Sequence, residues 1–215
     1  MTALLDGTGC WAWTGSARFD GRPALFLDRD GVIVEETNYL GRAEDVAMIP
    51  AAAPTIAAFN RAGAPVIVVT NQSGVGRGYF SWGDFEAVQA EIASRLAVEG
   101  AHVDAIFACG FHEKARGALA VADHAWRKPA PGMLLEAHDR LGVDLSRSFI
   151  VGDKAGDLAA GKAAGLAGGL HVASGHGGGA DERAEALALR TAGFEVMLGD
   201  DIAAAQTVLA RIAGA

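Results

Sequence analysis

Acidic and hydroxyl side chains stand at the ends of three apolar runs of this sequence. Asp28 and Asp30 follow one run, Thr70 ends the next, and Asp153 follows a third. Two carboxylates separated by one residue repel each other, and a divalent cation is the simplest group that lets both stay ionised. The residue types therefore predict a cation site beside Asp28 and Asp30.

Each of these signals has an ordinary structural explanation when it is taken alone. Asp pairs before a glycine are common in turns, and the segment after Thr70 fits a plain turn. Alternatively, the Thr70 hydroxyl and the backbone N–H groups that follow it could cradle a phosphoryl group. Arg127 and Lys128 could be solvated surface charges. The joint occurrence of these groups at strand ends is what favours one shared site.

The elements that must position these groups are short apolar strands alternating with longer helical patterns. This alternation predicts a three-layer α/β fold, a Rossmann-like parallel sheet with helices on both faces. In such open sheets, ligands bind at the carboxyl ends of the strands. The predicted strands cover 24–27, 65–69, 105–108, 148–151 and 169–172, and the predicted helices lie near 56–63, 82–99, 131–141, 181–192 and 202–213.

The composition favours one domain over residues 1–215, with residues 1–23 as an N-terminal extension packed on its core. The chain is 51% apolar with a net charge of −8, which argues against a broad nucleic-acid-binding face. No apolar run approaches the length of a membrane span, and the first residues do not resemble a signal peptide. We therefore expect a cytoplasmic monomer without membrane or nucleic-acid partners.

Four motifs resemble those of the haloacid dehalogenase-like (HAD-like) hydrolase superfamily over about residues 24–170. They are Asp-x-Asp, Thr, Lys and Gly-Asp-x-x-x-Asp, in that order. The longer strings FLDRDGVI, TNQSGVGRGYF, RKPAPGM and GDKAGD are similar to those of bacterial D-glycero-D-manno-heptose 1,7-bisphosphate 7-phosphatases, which are related to histidinol phosphatases. The resemblance implies magnesium-dependent hydrolysis of a small phosphorylated sugar through an aspartyl-phosphate.

The resemblance also implies a role for each matching residue. Asp28 would be the nucleophile, and Asp30 would be first the general acid and then the base for the attacking water. Thr70 and Lys128 would stabilise the transferring phosphoryl group. Mg²⁺ would be held by Asp28, the backbone carbonyl of Asp30, and Asp153. The implied substrate-binding residues are Glu36, Thr37, Asn38, Tyr39, Asn71, Gln72, Ser73, Arg127 and Lys154.

Arg127 is expected to bind the second phosphate of a bisphosphate, because guanidinium offers a planar and persistent charge. One predicted helix and its loops account for most of the residues between Asp28 and Thr70, and the same is true between Thr70 and Lys128. They leave no room for a large cap domain, so access to the site should be open. Specificity would then come from loops at 33–42, 74–80 and 111–127.

The sequence departs from this family at the segment before Arg127. Many relatives hold a structural zinc there with paired Cys and His residues, whereas this chain offers at most Cys109, His112 and His124. A closed zinc site normally has four good ligands, so we expect no structural zinc. Burial of Phe111 and Trp126 would order the segment instead.

Other functions stay open at this point. The nearest alternative is a phosphatase for histidinol phosphate or another small phosphorylated metabolite. A dehalogenase would need neither Asp30 nor a metal, and a phosphomutase would need a cap that excludes water. A phospho-acceptor signalling domain combines similar residues in a different order, and an idle binding protein would keep the residues without turnover. Magnesium-dependent release of phosphate separates the phosphatase from the dehalogenase and the idle binder.

Overall fold

An eight-stranded sheet runs through the protein, whose computed structural model describes residues 2–214. The spatial order of the strands is β1-β2-β5-β4-β3-β6-β7-β8. Strands β3 to β8 run parallel to one another, whereas β2 pairs in antiparallel orientation with both β1 and β5. The strands are β1 (Thr2–Leu4), β2 (Cys10–Thr14), β3 (Leu25–Leu27), β4 (Val66–Asn71), β5 (Ala105–Cys109), β6 (Phe149–Gly152), β7 (Gly168–Val172) and β8 (Glu195–Gly199). The predicted α/β class is confirmed, with an antiparallel edge added to the parallel sheet.

Helices cover both faces of the sheet. They are α1 (Ala52–Arg61), α2 (Ser73–Arg77), α3 (Trp82–Val98), α4 (Gly132–Leu141), α5 (Ala155–Ala163), α6 (Ala180–Ala188) and α7 (Gln206–Ala213). Successive strand residues alternate between two apolar cores, as a strand's geometry requires. Leu25 and Leu27 pack with α1, α3 and α7, whereas Phe26 packs with α4, α5 and α6 on the opposite face.

The three central strands bring together polar residues that are far apart in the sequence. β3 lies between β4 and β6, and Leu27 is paired with Val68 on one side and Val151 on the other. Asp28, Thr70 and Asp153 therefore lie at the same edge of the sheet. This is the edge at which open parallel sheets bind their ligands.

The N-terminal residues form a hairpin that extends the sheet. β2 pairs with β5 in antiparallel register, with Cys10 opposite Cys109. Trp11 is 3% exposed and packs edge-on against Phe85 of α3, with ring centroids 4.9 Å apart. No strand was predicted before residue 24, which was wrong: both strands are short, and the pairing of β2 with β5 joins residues about 95 positions apart, so it cannot be read locally.

The C-terminal prediction of two helices needs a correction. The helix expected over 181–192 ends at Ala188, and the strand β8 follows it. Among the described residues β8 pairs with β7 alone, and Val196 is its one buried residue, since Glu195 is exposed and the last three residues are partly exposed. A strand at the edge of a sheet that is partly exposed contains few buried apolar residues, so its sequence does not stand out as a strand. The helix expected over 202–213 begins as a 3₁₀ turn over Ile202–Ala205 and continues as α7.

The connections between the central strands are short elements and loops. The segment from β3 to β4 holds one loop region and α1, and the segment from β4 to β5 holds α2 and α3. Within residues 2–214 no inserted cap domain covers the carboxyl edge of the sheet. No helix in this part of the chain is both long and apolar enough to cross a membrane.

Replacing Trp11 with Ala should lower the free energy of unfolding by about 3–5 kcal/mol, because it empties a large volume between β2 and α3. Urea denaturation measures the loss. The matched control is Trp13→Ala on the same strand, which removes a partly exposed ring and should cost clearly less. Equal losses for the two variants would contradict the packing of β2 described above.

Candidate active site

Asp28 follows β3 and lines a cavity of about 180 Å³. Its backbone N–H donates to the Val151 carbonyl at 2.9 Å, which continues the sheet pairing by one residue. The side-chain Oδ1 accepts a hydrogen bond from the Arg29 backbone N–H at 2.8 Å and lies 3.0 Å from the Lys128 ammonium. Oδ2 accepts no hydrogen bond from the described residues. One carboxylate oxygen is therefore fixed and the other is available to a ligand.

Lys128 uses all three of its ammonium donors inside the protein. Its Nζ lies 3.0 Å from Asp28 Oδ1, 2.7 Å from Asp157 Oδ1 and 2.7 Å from the Val69 carbonyl. Burial alone would lower the pKa of Lys128, but the charges of Asp157 and Asp28 outweigh burial and raise it. The ammonium therefore stays charged beside Asp28.

Asn71 fixes the backbone of Lys128. The Asn71 Nδ2 donates to the Lys128 carbonyl at 3.0 Å, and the Lys128 N–H donates to Asn71 Oδ1 at 3.1 Å. Asn71 lines the cavity, as do Gln72 and Ser73. The strand end that carries Thr70 thus also positions the lysine, which comes from a distant loop.

Gln72 connects two other predicted site residues. Its Nε2 donates to Thr70 Oγ1 at 2.9 Å and to Asp30 Oδ2 at 3.0 Å. Thr70 is buried beneath the cavity, so its hydroxyl is held in place by this contact. Gln72 therefore ties the hydroxyl and the second carboxylate to the same strand end.

Asp153 has a buried oxygen without a partner. Its Oδ2 accepts the His176 N–H at 2.8 Å, but Oδ1 has no hydrogen-bond partner and is buried. Carboxylate oxygens of Asp28, Asp153 and Asp157 lie within 4.8 Å of one another. Burial, followed by the charges of Asp28 and Asp157, raises the pKa of Asp153 to about 7. An all-oxygen cluster with an unpartnered buried atom fits a hard divalent cation such as Mg²⁺.

Asp157 belongs to this cluster but was not among the predicted site residues. Its Oδ1 pairs with Lys128 at 2.7 Å, and its Oδ2 accepts the Lys154 backbone N–H at 3.1 Å at the start of α5. Both oxygens are therefore used by the protein itself. The last Asp of Gly-Asp-x-x-x-Asp was the signal for this residue, and its pairing with Lys128 was not visible in the sequence.

Arg29 is a second residue that the sequence analysis missed. It stands between the two aspartates and is 1% exposed. Its Nη2 donates to Asp30 Oδ1 at 2.7 Å and to Oδ2 at 2.9 Å, and its Nε donates to Oδ1 at 3.0 Å. A charged residue at a core-facing position of a buried segment requires a partner, and that requirement could have revealed it.

The loop after β3 supplies part of the cavity rim. Glu36, Asn38 and Tyr39 line the cavity, and so does Lys154 from the opposite side. Asn38 and Tyr39 both have positive φ, 53° and 78°, and the Asn38 N–H donates to Glu36 Oε1 at 2.7 Å. Thr37 was expected at the substrate as well, but it is exposed and lies outside the cavity lining, because this tight turn leaves its side chain toward solvent.

Arg127 lies outside the cavity lining, next to a second arginine. Its Nη1 donates to the Phe111 carbonyl at 3.1 Å. The Arg77 guanidinium lies 5.7 Å from the centre of the Tyr39 ring, and its buried Nε has no hydrogen-bond partner. Burial, and to a smaller degree Arg77, lowers the pKa of Arg127. Within residues 2–214 neither guanidinium has a carboxylate partner, which is the arrangement expected of an anion site.

The three residues considered as zinc ligands do not converge. Cys109 is buried in β5, His112 Nδ1 accepts the Lys114 N–H, and His124 stacks on Phe111 at 3.8 Å. The structure instead brings Asp6, Cys10 and His124 within 4.8 Å of one another. Asp6 Oδ1 already accepts the N–H groups of residues 8, 9 and 10, so this carboxylate closes a turn. Phe111 and Trp126 are both buried, as predicted.

Comparisons with known proteins show the family to which the chain belongs. A family model described as HAD-hydrolase-like matches residues 125–193. A protein from Mesorhizobium japonicum named D-glycero-beta-D-manno-heptose-1,7-bisphosphate 7-phosphatase is 53% identical over 138 residues, which are 64% of this chain and 64% of that protein's length.

Two solved structures resemble the whole fold. A candidate HAD-like phosphatase from Mesorhizobium loti has a TM-score of 0.86 at 42% identity, covering 100% of this chain and 97% of the other. D,D-heptose 1,7-bisphosphate phosphatase from B. bronchiseptica, complexed with magnesium and phosphate, has a TM-score of 0.72 at 32% identity, covering 87% and 97%. The chain belongs to the HAD-like phosphatases, which are phosphoric monoester hydrolases.

Without a bound metal, the protein should lose stability as the pH rises from about 4 to about 7. The folded pKa of Asp153 is about 7 and its ordinary value is 3.8, so in this window the folded chain keeps a proton that the unfolded chain has released. The free energy of unfolding then falls with increasing pH. Thermal unfolding in the presence of a chelator measures the slope, and Asp153→Asn should flatten it. An unchanged slope in this variant would contradict the assignment.

Proposed function

We propose that the chain is a Mg²⁺-dependent phosphatase that hydrolyses the 7-phosphate of D-glycero-D-manno-heptose 1,7-bisphosphate. The observation that carries this proposal is the free Oδ2 of Asp28 in the cavity, next to the charged Lys128 ammonium and the unpartnered Oδ1 of Asp153. A nucleophilic oxygen, a fixed cation and a metal-type cluster are the parts that phosphoryl transfer requires. The names of the two heptose bisphosphate phosphatases above support the substrate.

In the first step, Asp28 Oδ2 attacks phosphorus and the bond from phosphorus to the sugar oxygen breaks. Asp30 gives its proton to that oxygen, so the sugar leaves as a neutral alcohol. Lys128 stabilises the transferring group through its charge, which Asp157 holds beside Asp28, and Thr70 does so through its O–H, since its oxygen is the acceptor of the Gln72 hydrogen bond. The product of this step is an aspartyl-phosphate on Asp28.

In the second step, Asp30 removes a proton from a water molecule, which attacks phosphorus. The bond between phosphorus and Asp28 Oδ2 breaks, which releases phosphate and restores the carboxylate. The sheet edge carries no cap within the described residues, so water can reach the intermediate. Open access favours hydrolysis over return of the phosphoryl group to the substrate.

The residues that would hold Mg²⁺ are Asp28, Asp153 and the backbone carbonyl of Asp30. The bound ion would neutralise charge on the phosphoryl oxygens. Asp157 is assigned to holding Lys128 and not the ion, since its two oxygens contact Lys128 and the Lys154 N–H.

Asp28→Asn should lower phosphate release by more than about 1,000-fold, because the amide keeps the shape of the side chain but is a poor nucleophile. Phosphate is measured with Mg²⁺ supplied and with Mg²⁺ chelated, and chelation should abolish release by the wild type. Asp139→Asn, an exposed change on α4, serves as the control. Activity of Asp28→Asn near the wild-type value would reject the nucleophile.

Arg127→Ala should raise the KM for a sugar bisphosphate by about 10- to 100-fold, because it removes a charge-assisted contact with the second phosphate. The KM for the matching monophosphate should change by less than about twofold. Arg61→Ala is the control, since Arg61 is exposed at the end of α1, before the amino end of β4. Equal effects on both substrates would favour a monophosphate substrate such as histidinol phosphate.

A further inference from the structure

Arg29, which stands between Asp28 and Asp30 in the sequence, buries a complete guanidinium charge. Arg29 is 1% exposed, whereas the Asp30 side chain that it pairs with is 16% exposed. Placing a cation in the protein interior is costly unless charge and hydrogen bonds compensate it. The groups that compensate the Arg29 charge therefore indicate the role of this residue.

Arg29 holds the plane of the Asp30 carboxylate. Its Nε and Nη2 contact Oδ1 at 3.0 and 2.7 Å, and Nη2 also contacts Oδ2 at 2.9 Å. Gln72 Nε2 contacts Oδ2 at 3.0 Å from the other side. A forked guanidinium fixes the orientation of a carboxylate as well as its distance, which a single ammonium group cannot do.

Helix α3 holds Arg29 in turn. The Arg29 Nη1 donates to Gln89 Oε1 at 3.3 Å, and its guanidinium carbon lies 5.3 Å from the centre of the Phe85 ring. Gln89 and Phe85 are both buried, one helical turn apart on α3. A helix that contributes neither nucleophile nor metal ligand therefore supports the second carboxylate of the site through a single arginine.

We infer that Arg29 is the positioning residue of Asp30 and that Gln89 keeps Arg29 in place. This inference rests on the proposed function, in which Asp30 protonates the leaving oxygen. Proton transfer depends steeply on the geometry between the acid and that oxygen. The Arg29 side chain contacts Asp30, Gln72 and Gln89, and only its backbone N–H reaches the Asp28 carboxylate, so a change of the side chain acts on the rate through the orientation of Asp30.

The test compares two leaving groups in the first chemical step. A sugar phosphate releases a basic alkoxide that needs the Asp30 proton, whereas 4-nitrophenyl phosphate releases a weakly basic phenolate that does not. Single-turnover rates with enzyme in excess isolate this step. Arg29→Lys, which keeps the charge and loses the fork, should slow the sugar phosphate by about 10- to 100-fold and the nitrophenyl ester by less than about threefold.

Gln89→Leu should shift the ratio of the two rates in the same direction, with a smaller effect. This variant leaves Arg29 itself intact and guards against a folding defect in Arg29→Lys. Glu86→Gln on the same helix is the matched control, because Glu86 bonds to Trp11 Nε1 at 2.9 Å and does not contact Arg29. The control should leave the ratio unchanged. Equal slowing of both substrates in both variants would overturn the inference.

Failure of the proposed function gives a different result, namely no turnover of either substrate by the wild type. In that case crystal structures of Arg29→Lys and Gln89→Leu decide the question. A rotated or displaced Asp30 carboxylate supports the positioning role without reference to activity. An Asp30 carboxylate that stays in its present plane in both variants overturns it.

Discussion

Confinement of like charges is the constraint on which the site depends. Asp28, Asp153 and Asp157 are brought together at one edge of the sheet, and a single ammonium group, Lys128, lies among them. Lys128 and, from the cavity lining, Lys154 balance at most two of the three carboxylates, so a proton or a metal ion must make up the difference. Burial and neighbouring charge raise the pKa of Asp153 for this reason. The same imbalance makes the cluster receptive to a divalent metal ion.

The sheet maintains this confinement against electrostatic repulsion. Backbone pairing of β3 with both β4 and β6 fixes where the chain leaves each strand, and close packing beyond the strand ends does the rest. Gly31 illustrates the tightness: its φ is 79°, and a Cβ there would lie 2.6 Å from Asp153 Oδ2. A side chain at this position would therefore push the carboxylate out of the cluster. The stabilisation that comes from burying the large apolar core offsets the repulsion between carboxylates that would otherwise move apart.

Sequence patterns located the interior of this architecture better than its edges. The central strands were found within one or two residues, because strands buried on both faces are continuous apolar runs. β1 and β8 were missed because they are edge strands, with β8 partly exposed along its length, and β2 was missed because it is short and pairs with β1 and the distant β5. The strand-end residues were predicted from their types and order and the rest of the site from the family resemblance, but Asp157 and Arg29 were missed. The contact of Arg29 with Gln89 spans 60 positions, and a pairing at that separation leaves no local trace in one sequence.

The floor of the cavity and the residues beyond its lining differ in how much they can change. On the floor, Lys128, Asp157, Gln72 and Arg29 are bonded to other site residues, so removing one leaves a buried partner uncompensated. Beyond the cavity lining, Arg77 and Arg127 have no carboxylate partner among the described residues, so replacing either one leaves no carboxylate without its counter-charge. Substrate choice can therefore be altered outside the lining without unpairing a buried charge, whereas the reacting groups are fixed by their mutual contacts. This separation follows from which charges the protein pairs with itself and which it leaves for a ligand.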